Sequence, residues 1–198
     1  MMNELLFVYG SFSHGQEHFG KIASAVTQSF SAVAKGSMYR MSVGYPAFFN
    51  EGTTCISGSV VRLQKPDVQI ALLDLFHGFM PTDIAKSIFI RREIDVESDE
   101  RQVHRVLAYG LNSAHMSSAT LIEDGDWLRA LREKPALTQR LSDRQKTYVK
   151  RLGSSSGRAA APIDLSLYRE LINLGLIVDK GRRLALTLLG QDVHRFLS

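Results

Sequence analysis

The first 111 residues contain five runs of strand-forming residues, "ELLFVYG", "KGSMYRM", "CISGSVVRL", "SIFIRREIDV" and "VHRVLAYGL", set apart by Gly, Pro, Asn, Asp and Ser clusters. Punctuated β runs at that density specify a compact β-rich domain and leave little chain for helix. One helix interrupts them. After Pro66, Asp67 is placed to cap a first turn, and Val68, Ala71, Leu72, Leu75 and Phe76 follow at the i, i+3, i+4, i+7, i+8 spacing of a buried stripe. Gly78 then tolerates the left-handed conformation that ends helices, so His77 is the last side chain before the chain turns away.

The remainder reads differently. Ser142 and Gln145 form an S-x-x-Q capping box ahead of "RQKTYVKRLG". The stretch "GSSSGRAAAP" has a linker's composition. In "DLSLYRELINLG", Asp164 is the cap, Leu167, Leu171 and Leu174 form one stripe, and Gly175 is the stop. "LIVDKGRRLAL" carries two apolar arms around Asp179, Lys180 and Gly181, the pattern of a β-hairpin, and a last helix starts near Thr187 and packs through Leu189, Val193 and Phe196. Helix, helix, hairpin, helix resembles the recognition-helix-and-wing segment of winged-helix proteins, with one of the usual three helices missing. Charge divides the chain in the same place. Residues 1–125 hold 10 Lys and Arg against 13 Asp and Glu, whereas residues 126–198 hold 14 against 7. Two domains are therefore expected, 1–125 and a basic helical appendage over 126–198, the latter with an anionic partner to be weighed.

Composition excludes some classes. No apolar run approaches the roughly 20 residues that span a bilayer, and "MMNELLFVYG" carries no basic segment ahead of its apolar stretch. The single cysteine, Cys55, cannot close an internal disulfide and is expected as a small half-buried residue. These features point to a cytoplasmic protein with no membrane partner.

The phrase "FVYGSFSHG" ends a strand on Tyr9, turns at Gly10 and offers the Ser11 hydroxyl. Such a passage can aim several backbone N–H groups at one carboxylate or oxyanion, although a Tyr-Gly-Ser turn is by itself more often only a turn. Further segments follow in order: "KGSMYRMSVGYPAFF", "ISGSVVRL", "IALLDLFHGF", "FIRREIDV" and "VLAYGL". Together the ordered set resembles the gamma-glutamylcyclotransferase-like family, including its AIG2-like members, over about the first 110 residues. The resemblance rests on Tyr9-Gly10-Ser11, Gly44-Tyr45-Pro46, Leu73-Asp74 and Phe89-x-Arg91. It implies an α+β fold class, a small mixed β-barrel with short helices, to which the helical appendage is added. It also implies a cavity for a gamma-glutamyl group, walled by Tyr9, Gly10, Ser11, Phe12 and Tyr45, in which the glutamyl moiety cyclises to 5-oxoproline and releases an amine, with no metal or organic cofactor.

In the family's pattern a glutamate acts as general acid/base where this chain has His77. An imidazole can move protons at neutral pH, but it lacks the carboxylate's attraction for a substrate α-ammonium. Three readings of His77 stand side by side: the acid/base for a related acyl substrate lacking a free ammonium, part of a binding cavity without turnover, or a helix-end histidine favoured by the helix dipole. Asp74, three residues before it, is near enough to orient the imidazole, with a capping or surface acid as the plainer role, and Glu51 is a second substitute carboxylate. His14 and His18 are four apart, but a solvated loop is expected there and no metal site. On the basic part, Arg144, Lys146, Lys150, Arg151, Arg158, Lys180, Arg182 and Arg183 could form a polyanion surface for nucleic acid or another polyanion. A solvated charged face is favoured over it, and a homodimer contact is equally compatible.

Overall fold

The β runs of the first part close into a barrel, in a computed structural model that describes residues 5–155, 162–181 and 183–197. Strand β1 (Leu5–Val8) lies antiparallel to β3 (Pro46–Leu63) and parallel to β5 (Val103–Leu111). The last of these pairs antiparallel with β4 (Phe89–Ser98), β4 with β2 (Val26–Arg40), and β2 with β3, which completes the circuit of five strands. A short sixth strand, β6 (Thr120–Ile122), extends one end of β2. Along β2, Ala32, Ala34, Gly36 and Met38 are buried in strict alternation, the period expected of a strand with one face on the core.

Strands β2 and β3 are longer than the runs that announce them. They pair from Val26↔Leu63 to Arg40↔Pro46, with an irregularity where Gly36 faces Thr54 and Ser37 faces Phe49. Residues 50–53 are looped out at that step, and Glu51 is exposed among them. Cys55, expected to be half-buried, is exposed on β3.

Helix α1 (Pro66–His77) ends where predicted but begins earlier, and it does not bury the predicted face. Ile70 and Leu73 are its buried residues, while Val68, Leu72 and Leu75 are 55 %, 58 % and 79 % exposed. The sequence offers two apolar stripes shifted by two residues, and periodicity alone cannot choose between them. The one that packs carries the polar Asp74 and His77 with it, because both find partners on the barrel side. Lys65 is the N-cap in a left-handed conformation, with Pro66 at the first helical position, so Asp67 sits in the first turn and is not the cap. The assignment predicts that Ile70→Val costs about 1 kcal/mol in denaturant unfolding while Leu75→Ala changes stability by less than about 0.5 kcal/mol.

Helix α2 (Trp127–Glu133) ends the first of two units, and the second begins at Lys134. The second unit contains α3 (Leu137–Arg140), α4 (Asp143–Ser154), α5 (Leu165–Asn173), the hairpin β7 (Ile177–Asp179) with β8 (Leu184–Leu186), and α6 (Leu188–Leu197). The Ser142–Gln145 capping box is formed, and the Asp164 side chain accepts the Leu167 N–H. The Thr187 hydroxyl accepts the Gly190 N–H at the start of α6. Most of the linker-like stretch after Ser155, including Arg158, lies outside the described residues, as does Arg182. Among the described residues no helix is long and apolar enough to cross a membrane.

Candidate functional site

The chain leaves β1 through Tyr9, which is extended, and turns at Gly10 with φ +56° into a single 3-10 turn over Gly10–Phe12. The turn closes with Phe12 N–H to Tyr9 O and Ser13 N–H to Gly10 O, both 3.1 Å. The amides of Gly10 and Ser11 take no part in the bonds that close the turn, as the first donors of a helical turn do not. Gly10 is fixed by a second constraint: a Cβ there would lie 2.1 Å from Pro46 Cγ. Gly44-Tyr45-Pro46 thus packs directly on the Gly10 turn. Tyr45 is buried and donates its hydroxyl to Glu17 Oε2 at 2.6 Å, a carboxylate with no mark in the sequence beyond its place in the loop.

At the far end of α1, Gly78 adopts φ +62° and Phe79 N–H bonds back to Asp74 O at 2.8 Å, which fixes His77 as the terminal helical residue. The imidazole donates Nδ1–H to the Leu73 carbonyl at 2.9 Å. Since a carbonyl only accepts, the neutral ring carries its lone pair on Nε2. Aromatic rings meet His77 on several sides: Tyr109 in a parallel stack at 4.0 Å and 6°, Phe12 at 5.3 Å, Phe76 at 5.2 Å and Phe89 at 5.4 Å. Through Phe12 the N-terminal turn and the helix-end imidazole are brought into contact.

Asp74 does not act as a surface acid, and it has no direct bond to His77. Its Oδ1 accepts from the Tyr109 hydroxyl at 2.7 Å and its Oδ2 from Arg91 Nη1 at 2.9 Å, while the Arg91 guanidinium rests 5.2 Å from the Phe79 ring. Tyr9 completes the frame, donating to Tyr109 O at 2.8 Å and accepting from Phe48 N–H at 3.1 Å. Burial raises the Tyr9 phenol well above its ordinary range, against a smaller opposing effect of the Phe48 amide. Burial does the same to Tyr109, reinforced by the Asp74 hydrogen bond and charge and opposed by Arg91. Both phenols therefore stay protonated and act as donors, not bases. Tyr109 is the residue that sequence reasoning missed. Its signal was a hydroxyl-bearing aromatic inside the wholly apolar run "VLAYGL", which needs a partner once the strand is buried.

The other candidates divide. His18 is buried against Phe12, Tyr45 and Phe76, not solvated as expected, whereas His14 is exposed against Phe19. A cavity of about 200 Å³ adjoins the turn, lined by Gly10, Ser13, Cys55, Ser57, Asp126 and Trp127. Tyr9, Ser11, Phe12, Tyr45 and His77 are not in its lining. In the second unit Arg151 is engaged with Pro162 O and the Tyr148 ring, Lys146 and Lys150 lie one helical turn apart on α4, and Arg183 lines a hollow of about 410 Å³ with Lys180.

The family model described as "Gamma-glutamyl cyclotransferase, AIG2-like" matches residues 6–129. Among solved structures the chain is similar to YkqA from Bacillus subtilis, at 25 % identity and a TM-score of 0.49 over 68 % of this chain. It spans 44 % of YkqA's length. An AIG2-like protein from Mus musculus aligns at 14 % identity and a TM-score of 0.45, over 59 % of this chain and 84 % of that one. The protein PH0828 from Pyrococcus horikoshii aligns at 14 % identity and 0.44, over 65 % and 93 %. No curated protein matches.

Proposed function

Since the chain belongs to the gamma-glutamyl cyclotransferase, AIG2-like family, we propose that it acts on a small gamma-glutamyl or related acyl molecule, cyclising the glutamyl group to 5-oxoproline with release of an amine. The observation that carries this reading is the contact of the His77 imidazole with Phe12 of the Gly10 turn, 5.3 Å between ring centroids. It supports a proton carrier at the turn whose Gly10 and Ser11 amides would hold the substrate's oxygens.

The chemistry then runs without water. The substrate's α-nitrogen attacks the γ-carbonyl carbon, and the new C–N bond closes the lactam as the C–N bond to the leaving amine breaks. His77 Nε2 takes the proton lost by the attacking nitrogen and returns it to the departing one. The amides of Gly10 and Ser11 face the charge that builds on the carbonyl oxygen between these events. The Nδ1–H bond to Leu73 O keeps the ring in the tautomer that leaves Nε2 as the base. The rate is therefore expected to rise with pH as His77 loses its proton, in contrast to the flat neutral-pH profile of a carboxylate base.

Incubating the protein with a panel of gamma-glutamyl amines and dipeptides across about pH 6 to 9, the span of imidazole titration, and quantifying 5-oxoproline by mass spectrometry tests the reading. Turnover of at least one substrate class is the expected result. No 5-oxoproline from any of them overturns it.

A further inference from the structure

The stack of His77 on Tyr109 is unlike the imidazole's contacts with Phe12, Phe76 and Phe89. Phe76 and Phe89 meet it nearly edge-on, at 78° and 79°, and Phe12 is tilted by 30°, whereas Tyr109 lies 6° from parallel with 4.0 Å between centroids. Close face-to-face contact is poor for two neutral rings, whose quadrupoles repel, but favourable when one ring is a cation above the electron-rich face of a phenol. Tyr109 is also the ring whose hydroxyl is donated to a carboxylate, Asp74, which draws further negative charge toward the stack.

We propose that Tyr109 is a positioning residue that holds the His77 ring and, with the Asp74 carboxylate behind it, stabilises the proton that Nε2 carries between the attacking and the departing nitrogen. The proposal deepens the reading of His77 as the proton carrier and rests on it for its functional meaning. The charged and titratable groups near the stack come from several elements. From α1 comes Asp74; from β4 comes Arg91, which binds Asp74 and opposes the effect in part. Tyr109 comes from β5. From the loop after β1, Lys21 lies 5.1 Å from the Phe76 ring, and His18 touches Phe12 and Phe76.

The test follows the His77 imidazole by NMR through a pH titration of the full chain, with His104, near the start of β5, as internal control. In Tyr109→Leu the His77 midpoint is expected to fall by about 0.5 to 1 pH unit, the loss of a desolvated cation–π contact. In Asp74→Asn it falls as well, because the acid is gone and Arg91 loses its counter-charge. Tyr109→Phe keeps the ring face, loses the link to Asp74, and gives an intermediate fall. Should Tyr109→Leu fail to fold, the two conservative variants decide. A His77 midpoint unchanged or raised in Asp74→Asn and Tyr109→Phe overturns the proposal. The readout is independent of turnover: a lowered midpoint without 5-oxoproline formation sinks the cyclisation reading alone, and turnover with an unmoved midpoint sinks this one alone.

Discussion

If the proposed cyclisation holds, replacing His77 with alanine is expected to lower kcat on gamma-glutamyl amines by about 10²- to 10⁴-fold, the contribution of a positioned acid/base group. The truncation removes the Nε2 base while leaving the Gly10 and Ser11 amides in place, so KM is expected to change little and the loss to appear in the chemical step. The pH profile carries the same signature: the rise that depends on free-base imidazole disappears in His77→Ala. A His77→Glu variant separates proton transfer from electrostatics. It restores an anion at the helix end, so KM falls for substrates with a free α-ammonium, since a carboxylate attracts that cation and an imidazole does not. Steady-state kinetics of the two variants, measured on the same substrates, check both expectations. Equal kcat in His77→Ala and the unmodified chain would remove the imidazole from the reaction.

Gly10→Val is the second large effect, and it falls on stability first. Two costs add at this position. The backbone has φ +56°, which a β-branched residue adopts only under strain. A Cβ would also sit 2.1 Å from Pro46 Cγ, and the proline ring cannot swing aside as a flexible side chain could. Together they are expected to destabilise the barrel by about 3 to 5 kcal/mol, read as a lower midpoint in urea unfolding. Any folded fraction should retain little turnover, because the amides of Gly10 and Ser11 move with the turn. A loss below about 1 kcal/mol, the ordinary effect of a surface change, would mean that the contact with Pro46 is not what fixes the turn.

Local chemistry proved readable in the sequence wherever a residue's own backbone preference decided the outcome. Gly78 ends α1 at His77, Ser142 and Gln145 cap α4, Asp164 caps α5, and Gly175 follows its end at φ +69°. The ordered Tyr9-Gly10-Ser11, Gly44-Tyr45-Pro46 and Phe89-x-Arg91 motifs carried the family and the barrel. What escaped depends on partners distant in sequence. Residues 26–34 are polar in appearance and become a strand because β3 and β4 supply their ladder. The buried stripe of α1 was misread since Asp74 and His77 look like outward-facing residues until Tyr109, Arg91 and Phe12 are placed around them. His18 was read as solvated for the same reason, its neighbours Phe12, Tyr45 and Phe76 being scattered over the sequence.

The parallel pairing of β1 with β5 has a consequence for how the protein comes to be made. Strand β1 waits for a neighbour about a hundred residues later in the chain, and Tyr9 meets the Tyr109 carbonyl over the same separation. Until the ribosome has released that stretch, the leading strand has one unsatisfied edge, a long-range closure of the kind that folds slowly and invites aggregation. The strand that ends the wait also delivers Tyr109 to His77, so barrel closure and completion of the ring cluster around the imidazole are a single late event in the life of the nascent chain.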